Sequence, residues 1–183
     1  KTNMMIFSSP CNPSGSVYTA EELHDLARVI KVHPNMLVIS DEIYELINFE
    51  GQHASLAANS EIYDQVITIN GVSKGFAMTG WRCGYIGAPL WLAKACDKMQ
   101  GQFTSATCSI TQRAVLAALD ADPSKVSHMK DAFKKRRDLV LGLLNEIPGI
   151  GTNLPVGAFY IFPDVQQLFS KKHNGKEIGN CSD

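Results

Sequence analysis

Residues 36–41 are Met36-Leu37-Val38-Ile39-Ser40-Asp41, an apolar run that ends in a hydroxyl and a carboxylate. A short run that is apolar at every position is typical of a strand buried on both faces of a mostly parallel sheet. Similar runs occur on either side of it in the sequence, at residues 4–7 and 66–69, and residues 83–87 predict a further strand. We therefore expect four strands in this part of the chain.

A helix is predicted between the first two of these strands. Thr19 and Glu22 have the three-residue spacing of a capping box, in which each side chain hydrogen-bonds the other residue's backbone N–H. The apolar residues that follow repeat along one helical face: Leu23, Leu26, Ala27 and Ile30. A strand, a helix and a second strand in this order predict an α/β fold with a layered sheet.

The second half of the sequence is predicted to be mainly helical. Apolar residues keep a helical spacing over residues 92–99, 109–121 and 123–147. The Pro148-Gly149 pair ends the last of these helices and predicts a domain boundary, with a large domain at 1–148 and the start of a small one at 149–183. Residues 157–162, Gly-Ala-Phe-Tyr-Ile-Phe, are predicted to form a strand of the small unit.

Composition and charge exclude several classes of protein. The 183 residues carry a formal net charge of −1, which gives no electrostatic attraction to nucleic acid or to an anionic membrane surface. No apolar run reaches the ~18 residues that a membrane-spanning helix needs. The basic run at residues 134–137 lies mostly off the apolar stripe of its helix and is expected to be a solvated face.

Cysteine and histidine usage argues against disulfides and metal sites. The five cysteines are odd in number and never occur at C-x-x-C spacing, which favours a reducing compartment, the cytoplasm. The five histidines are scattered without ligand spacing such as H-x-x-x-H, so we expect no bound metal.

Three polar side chains with complementary chemistry follow predicted strands: Asn12, Asp41 and Lys74. Ligands of open α/β sheets bind beyond the carboxyl ends of the strands, so these side chains are expected around one crevice. A lysine amine forms a Schiff base with an aldehyde, and a carboxylate keeps a pyridine nitrogen protonated. Tyr44 offers a hydroxyl for the ring oxygen, and Arg82 offers a bidentate grip on a phosphate. Together these groups suit catalysis with pyridoxal phosphate.

Each of these residues also has an ordinary structural explanation. A lone lysine after a strand is most often a solvated surface group, and Asp41 is well placed to cap exposed backbone N–H groups. Asn12 belongs to an Asn-Pro-Ser-Gly turn, Arg82 suits a surface ion pair, and Tyr44 suits a half-buried core position. The joint occurrence of all five favours the cofactor site.

Three segments resemble, in order and spacing, signatures of the fold type I pyridoxal phosphate aminotransferases, specifically the aspartate aminotransferase group. They are residues 8–18 (Ser-Ser-Pro-Cys-Asn-Pro-Ser-Gly-Ser-Val-Tyr), 40–44 (Ser-Asp-Glu-Ile-Tyr) and 73–85 (Ser-Lys-Gly-Phe-Ala-Met-Thr-Gly-Trp-Arg-Cys-Gly-Tyr). Residues 157–160 also resemble the start of that family's small domain. The resemblance implies a three-layer α/β/α fold with a mostly parallel sheet, followed by the start of a small α+β domain.

The resemblance implies a role for each polar residue around the cofactor ring. Lys74 would form the Schiff base with the cofactor aldehyde and then move a proton at the substrate Cα as general base and acid. Asp41 would pair with the pyridinium nitrogen. Tyr44 and Asn12 would hydrogen-bond the phenolic oxygen of the ring.

The phosphate group would be held by Arg82, with a contribution from Ser73. Family members often have a serine a few residues before the lysine for this purpose. Here Gly71 occupies one such position, whereas Ser73 directly precedes Lys74.

The resemblance implies a transaminase of amino acid metabolism and biosynthesis, moving an amino group between an amino acid such as aspartate and a 2-oxo acid such as 2-oxoglutarate. It further implies a cytoplasmic homodimer. The family's first segment and its arginine for the substrate α-carboxylate have no counterpart in these 183 residues. We therefore expect the chain to be an internal part of the enzyme and to be inactive by itself.

Two alternatives stay open at this point. One is a pyridoxal-phosphate-dependent β-lyase of the same fold. The other is an aminotransferase-like, ligand-sensing domain of a transcription regulator, because fold alone does not determine function.

Overall fold

A four-stranded sheet forms the centre of the structure, a computed structural model that describes residues 2–182. Its strands, in sheet order, are β1 (Met4–Ser8), β2 (Leu37–Asp41), β3 (Val66–Gly71) and β4 (Gly84–Gly87). The first three strands run parallel to one another, and β4 runs antiparallel to β3. All four predicted strands and the α/β class with a mostly parallel sheet are confirmed.

Helix α1 (Ala20–Lys31) connects β1 to β2 and forms the predicted capping box. The Glu22 backbone N–H donates to Thr19 Oγ1 at 3.2 Å, and the Thr19 backbone N–H donates to Glu22 Oε2 at 2.8 Å. The apolar face of α1 packs on the sheet in one buried cluster, comprising Leu23, Ala27, Ile30, Val38, Leu56, Ile62 and Val66. The helix therefore covers the sheet on one face and holds β1 and β2 in register.

The second half of the chain is helical, as predicted. Helices α2 (Leu90–Phe103), α3 (Ser109–Leu119) and α4 (Ser127–Asn145) follow β4, and short 3-10 turns lie at Leu56–Ala58, Ser60–Gln65, Thr79–Trp81, Pro123–Val126 and Gln166–Leu168. A short hairpin of β5 (Lys172–His173) and β6 (Lys176–Glu177) comes last. Within residues 2–182, no helix combines the length and the apolar character that crossing a membrane requires.

The predicted strand at residues 157–162 is wrong. Only Gly157 forms an isolated bridge, with Asn48, and Ala158 has a φ of 57°. A left-handed backbone at Ala158 is incompatible with the extended conformation of a strand. The backbone N–H groups here instead bond Gly15 and Ile47, so residues 153–160 run as an irregular segment between two loops of the large sheet. The domain boundary at residue 148 stays a prediction.

Candidate active site

The carboxyl ends of the three parallel strands lie side by side. Asp41, the last residue of β2, pairs in register with Ser8 of β1 and Ile69 of β3. The loops that follow these strands contain Asn12, Tyr44 and Lys74. The sheet therefore brings the three polar loops to one edge, as the sequence predicts.

Asp41 and Tyr44 are held by the turn that follows β2. The backbone N–H of Ile43 donates to Asp41 Oδ1 at 3.2 Å, so the carboxylate does cap a local N–H group. Tyr44 is only 3% exposed and packs with Ile47 and Phe49 in a second buried cluster. Tyr44 is thus both a core aromatic and a close neighbour of Asp41, whose negative charge acts on its hydroxyl.

Lys74 follows β3 and reaches the same place. Its Nζ lies 5.7 Å from the centre of the Tyr44 ring and 5.6 Å from that of Phe159. Within residues 2–182, no carboxylate forms an ion pair with this amine. Lys74 and Ser73 line a cavity of about 540 Å³ together with Phe159. A cavity of this size accommodates a small cofactor or substrate.

The Tyr44 hydroxyl is hydrogen-bonded to the hydroxyl of Tyr160, with 2.5 Å between the two oxygens. Burial raises the pKa of Tyr44 well above its usual value, and the Tyr160 hydroxyl and the charge of Asp41 raise it further. Tyr44 therefore stays protonated at neutral pH and has a proton to donate, although either hydroxyl of the pair can be the donor between them. The sequence does not predict this contact, because 116 residues separate the two tyrosines and no local pattern connects them.

Asn12 lies in a tight loop after β1. Two backbone hydrogen bonds close the loop. The N–H of Cys11 donates to the Ser16 carbonyl, and the N–H of Gly15 donates to the Cys11 carbonyl. Asn12 itself is exposed. Its neighbour Cys11 lines a cavity of about 360 Å³ that Asp41 also lines. The loop therefore borders the crevice at the end of β2.

Arg82 lies in the loop before β4, with a left-handed backbone at a φ of 55°. Its Nη1 donates to the Thr79 carbonyl at 3.0 Å, and Thr79 Oγ1 donates to the Ser73 carbonyl at 2.9 Å. Thr79 thus connects Arg82 to the turn that holds Lys74. In the part of the chain that is described, no hydrogen bond joins Asn12 or Arg82 to Asp41, Tyr44 or Lys74.

A buried polar network around Glu42, which the sequence does not indicate, lies next to the site. Glu42 is 3% exposed and accepts hydrogen bonds from Ser40 Oγ at 2.9 Å and Ser55 Oγ at 2.7 Å, while His53 Nε2 lies 2.9 Å from its other oxygen. Burial would raise the pKa of Glu42, but the hydrogen bonds and the charge of His53 outweigh it and lower the pKa. Glu45 lies close to this network. One potential metal-ligating atom from each of Glu42, Glu45 and His53 lies within 4.8 Å of the other two.

Comparison with known proteins identifies the family. Residues 1–177 match the model of the aminotransferase class I and II family. The chain belongs to this family. A bifunctional aspartate aminotransferase and glutamate/aspartate-prephenate aminotransferase of Petunia hybrida is 43% identical over 96% of the chain and 37% of its own length. An aspartate/prephenate aminotransferase of Cereibacter sphaeroides is 41% identical over 96% of the chain and 44% of its own length.

Solved structures of aminotransferases agree with the fold. The aspartate aminotransferase of Rhizobium meliloti superimposes with a TM-score of 0.94 at 37% identity, over 99% of this chain and 46% of that one. An aromatic aminotransferase of Pyrococcus horikoshii gives a TM-score of 0.84 at 40% identity, over 89% and 44%. The chain thus spans less than half the length of these relatives.

The aminotransferase family implies pyridoxal phosphate, and the residues present fit it. An aldehyde requires an amine that is not occupied by an ion pair, and Lys74 meets this condition within residues 2–182. A pyridine nitrogen requires a carboxylate, and a ring oxygen requires a donor that stays protonated. Asp41 and Tyr44 provide both groups beside Lys74.

Proposed function

We propose that the protein containing this chain is a pyridoxal-phosphate-dependent aminotransferase. One observation carries the proposal. At the carboxyl edge of the sheet, the amine of Lys74 lies 5.7 Å from the centre of the Tyr44 ring, and the charge of Asp41 acts on the Tyr44 hydroxyl. An amine, a carboxylate and a protonated phenol in this arrangement match the needs of the cofactor's aldehyde, ring nitrogen and ring oxygen.

Each residue then has a defined task. Pyridoxal phosphate, when bound, supplies an electron-withdrawing ring that stabilises negative charge at the substrate Cα. Lys74 binds the aldehyde covalently and moves the proton at the substrate Cα as general base and acid. Asp41 holds the ring nitrogen protonated. Tyr44 and Asn12 donate hydrogen bonds to the ring oxygen.

Arg82 and Ser73 bind the phosphate in this proposal. A guanidinium binds a phosphate through two parallel N–H groups, which gives both charge and orientation. Arg82 is exposed, and two hydrogen bonds through Thr79 connect it to the turn that contains Lys74.

The proposed substrates are an amino acid, aspartate, and a 2-oxo acid such as 2-oxoglutarate. The names of the relatives in Petunia and Cereibacter support aspartate and add prephenate, which is also a 2-oxo acid. The five cysteines are all free in the structure, which agrees with the proposed cytoplasmic location.

We also propose that the enzyme acts as a homodimer. Helices α2 and α3 expose large apolar side chains that need a cover in the complete protein, namely Leu90, Trp91, Phe103, Ile110 and Leu116. Sedimentation of the complete protein should give twice the monomer mass. A monomer at micromolar concentration would contradict this part of the proposal.

Covalent labelling tests the cofactor assignment. Pyridoxal phosphate is added to the complete protein, borohydride fixes it to the amine that carries it, and mass spectrometry identifies the labelled peptide. We expect selective labelling at Lys74, loss of that label in Lys74→Ala, and an unchanged label in Lys94→Ala, which removes an exposed lysine of α2. Label spread over many lysines in all three proteins would contradict the proposal.

An activity assay then tests the reaction. The complete protein is given aspartate with either 2-oxoglutarate or prephenate, and the amino acid product is measured. We expect transamination with at least one acceptor and none in Lys74→Ala. Lyase products without transamination would instead support the β-lyase alternative.

A further inference from the structure

The hydroxyl pair of Tyr44 and Tyr160 joins the candidate site to a distant part of the chain. The two oxygens are 2.5 Å apart, and the two rings meet edge to face with centres 5.6 Å apart. Phe159 packs edge to face on Tyr44 as well, at 5.3 Å. Residues 159 and 160 therefore fix both the ring and the hydroxyl of Tyr44.

The 153–160 segment that holds Tyr160 is anchored on two loops of the site. On the Asn12 loop, the backbone N–H groups of Val156 and Gly157 both donate to the Gly15 carbonyl at 2.9 Å. On the Tyr44 turn, the N–H of Ala158 donates to the Ile47 carbonyl at 2.8 Å. The segment thus connects the loops of the two residues, Asn12 and Tyr44, that are proposed to donate to the same ring oxygen.

The hydroxyl of Tyr44 has a single proton, so its direction matters. When Tyr160 donates to the Tyr44 oxygen, the Tyr44 proton is directed at another acceptor. When Tyr44 donates to Tyr160 instead, its proton is not available to the cofactor. The arrangement in which Tyr160 donates is therefore the one that a cofactor-binding Tyr44 needs.

We propose that Tyr160 is a positioning residue of the cofactor site, whose hydroxyl donates to Tyr44 and so directs the Tyr44 proton to the ring oxygen of pyridoxal phosphate. This inference rests on the proposed function. Tyr160 acts through Tyr44 and needs no contact with the cofactor. Backbone hydrogen bonds from Val156, Gly157 and Ala158 to the two loops anchor the segment that contains Tyr160.

The first test examines the tyrosine pair without cofactor. In the complete protein stripped of cofactor, tyrosinate absorbance is followed with rising pH in wild type, Tyr160→Phe, Tyr44→Phe and Tyr63→Phe. Tyr160 influences the pKa of Tyr44 through its hydroxyl and its charge, in addition to burial. We expect Tyr160→Phe to shift the pH at which Tyr44 ionises, whereas Tyr63→Phe, which removes the same atom from an exposed ring, leaves it unchanged. An unchanged Tyr44 ionisation in Tyr160→Phe would overturn the proposal.

The second test examines the effect on the cofactor. We expect Tyr160→Phe to weaken pyridoxal phosphate binding by about two- to tenfold, the range of one neutral hydrogen bond. The pH midpoint of the visible absorption band of the bound cofactor should also move to higher pH. The hydrogen bond that Tyr44 donates to the ring oxygen favours the deprotonated form of the cofactor, and Tyr160→Phe weakens that bond. A purely structural role would not move this midpoint.

The outcomes separate this inference from the proposed function. Labelling at Lys74 together with an unchanged midpoint in Tyr160→Phe would overturn the role of Tyr160 and leave the aminotransferase proposal intact. Absence of any label at Lys74 would instead contradict the proposed function, and the cofactor-free titration would still report whether Tyr160 controls Tyr44.

Discussion

At the scale of single residues, Glu42 shows how a buried carboxylate next to the site affects stability. Its pKa lies below the ordinary value of 4.5, because hydrogen bonds with His53, Ser55 and Ser40 outweigh the effect of burial. A lowered pKa in the folded protein contributes stability that is fully present above pH 4.5 and is lost as the pH falls through the folded value. We expect the free energy of unfolding to decrease between pH 5 and pH 3, in part through this group.

Urea unfolding at several pH values measures this contribution. Glu42→Gln removes the titrating group but keeps an acceptor for the two serines, so its stability should depend less steeply on acid than that of wild type. Glu50→Gln, which changes an exposed carboxylate, serves as the control. Equal acid dependence in Glu42→Gln and wild type would contradict the prediction.

Individual site residues differ in how well the sequence predicts them. The positions of Asp41 and Lys74 are predictable because Asp41 ends a strand and Lys74 comes soon after one, and parallel strands end at the same edge of a sheet. The hydrogen bonds of Glu42 with His53 and Ser55 are not predictable from the sequence. These partners are 11 and 13 residues away and reach Glu42 only after the chain has turned back. Tyr160 is further still from Tyr44, and only the folded chain reveals the pair.

At the scale of elements, the capping box makes helix α1 the most testable part of the fold. Thr19→Ala removes the acceptor of the Glu22 N–H, and such a loss typically costs about 1 kcal/mol of stability. Thr19→Ser keeps the hydroxyl and should stay within a few tenths of a kcal/mol of wild type. Urea unfolding of the three proteins measures the difference, and equal stability of the Ala and Ser variants would count against the cap.

Elements defined by local pattern were predicted well, and the exception has a physical reason. Helix α1 and the strands β1 to β3 follow from apolar period and capping residues within a few positions. Residues 157–162 have equally strand-like side chains, but tertiary packing determines their backbone. Ala158 is fully buried with a φ of 57°, a conformation that no apolar pattern indicates.

At the scale of the whole molecule, close packing joins the Asn12 loop to the 153–160 segment. Gly15 has a φ of +68°, and a Cβ there would lie 2.3 Å from Pro155 Cβ. Gly51 has almost the same φ, +71°, but a Cβ there would meet nothing within 4 Å. The two glycines thus differ in packing and not in backbone conformation.

This pair allows the contribution of packing to be measured separately. Gly15→Ala and Gly51→Ala should each lose about 1 kcal/mol of stability, because alanine is strained in a left-handed backbone conformation. Only Gly15→Ala adds a steric clash, which should lower its stability by about 1–3 kcal/mol more. We therefore expect Gly15→Ala to be the less stable variant in urea unfolding. Because the displaced 153–160 segment holds Tyr160 against Tyr44, Gly15→Ala should also bind pyridoxal phosphate more weakly, whereas Gly51→Ala should bind it as wild type does. Equal stability and equal affinity of the two variants would show that this segment is not coupled to the site.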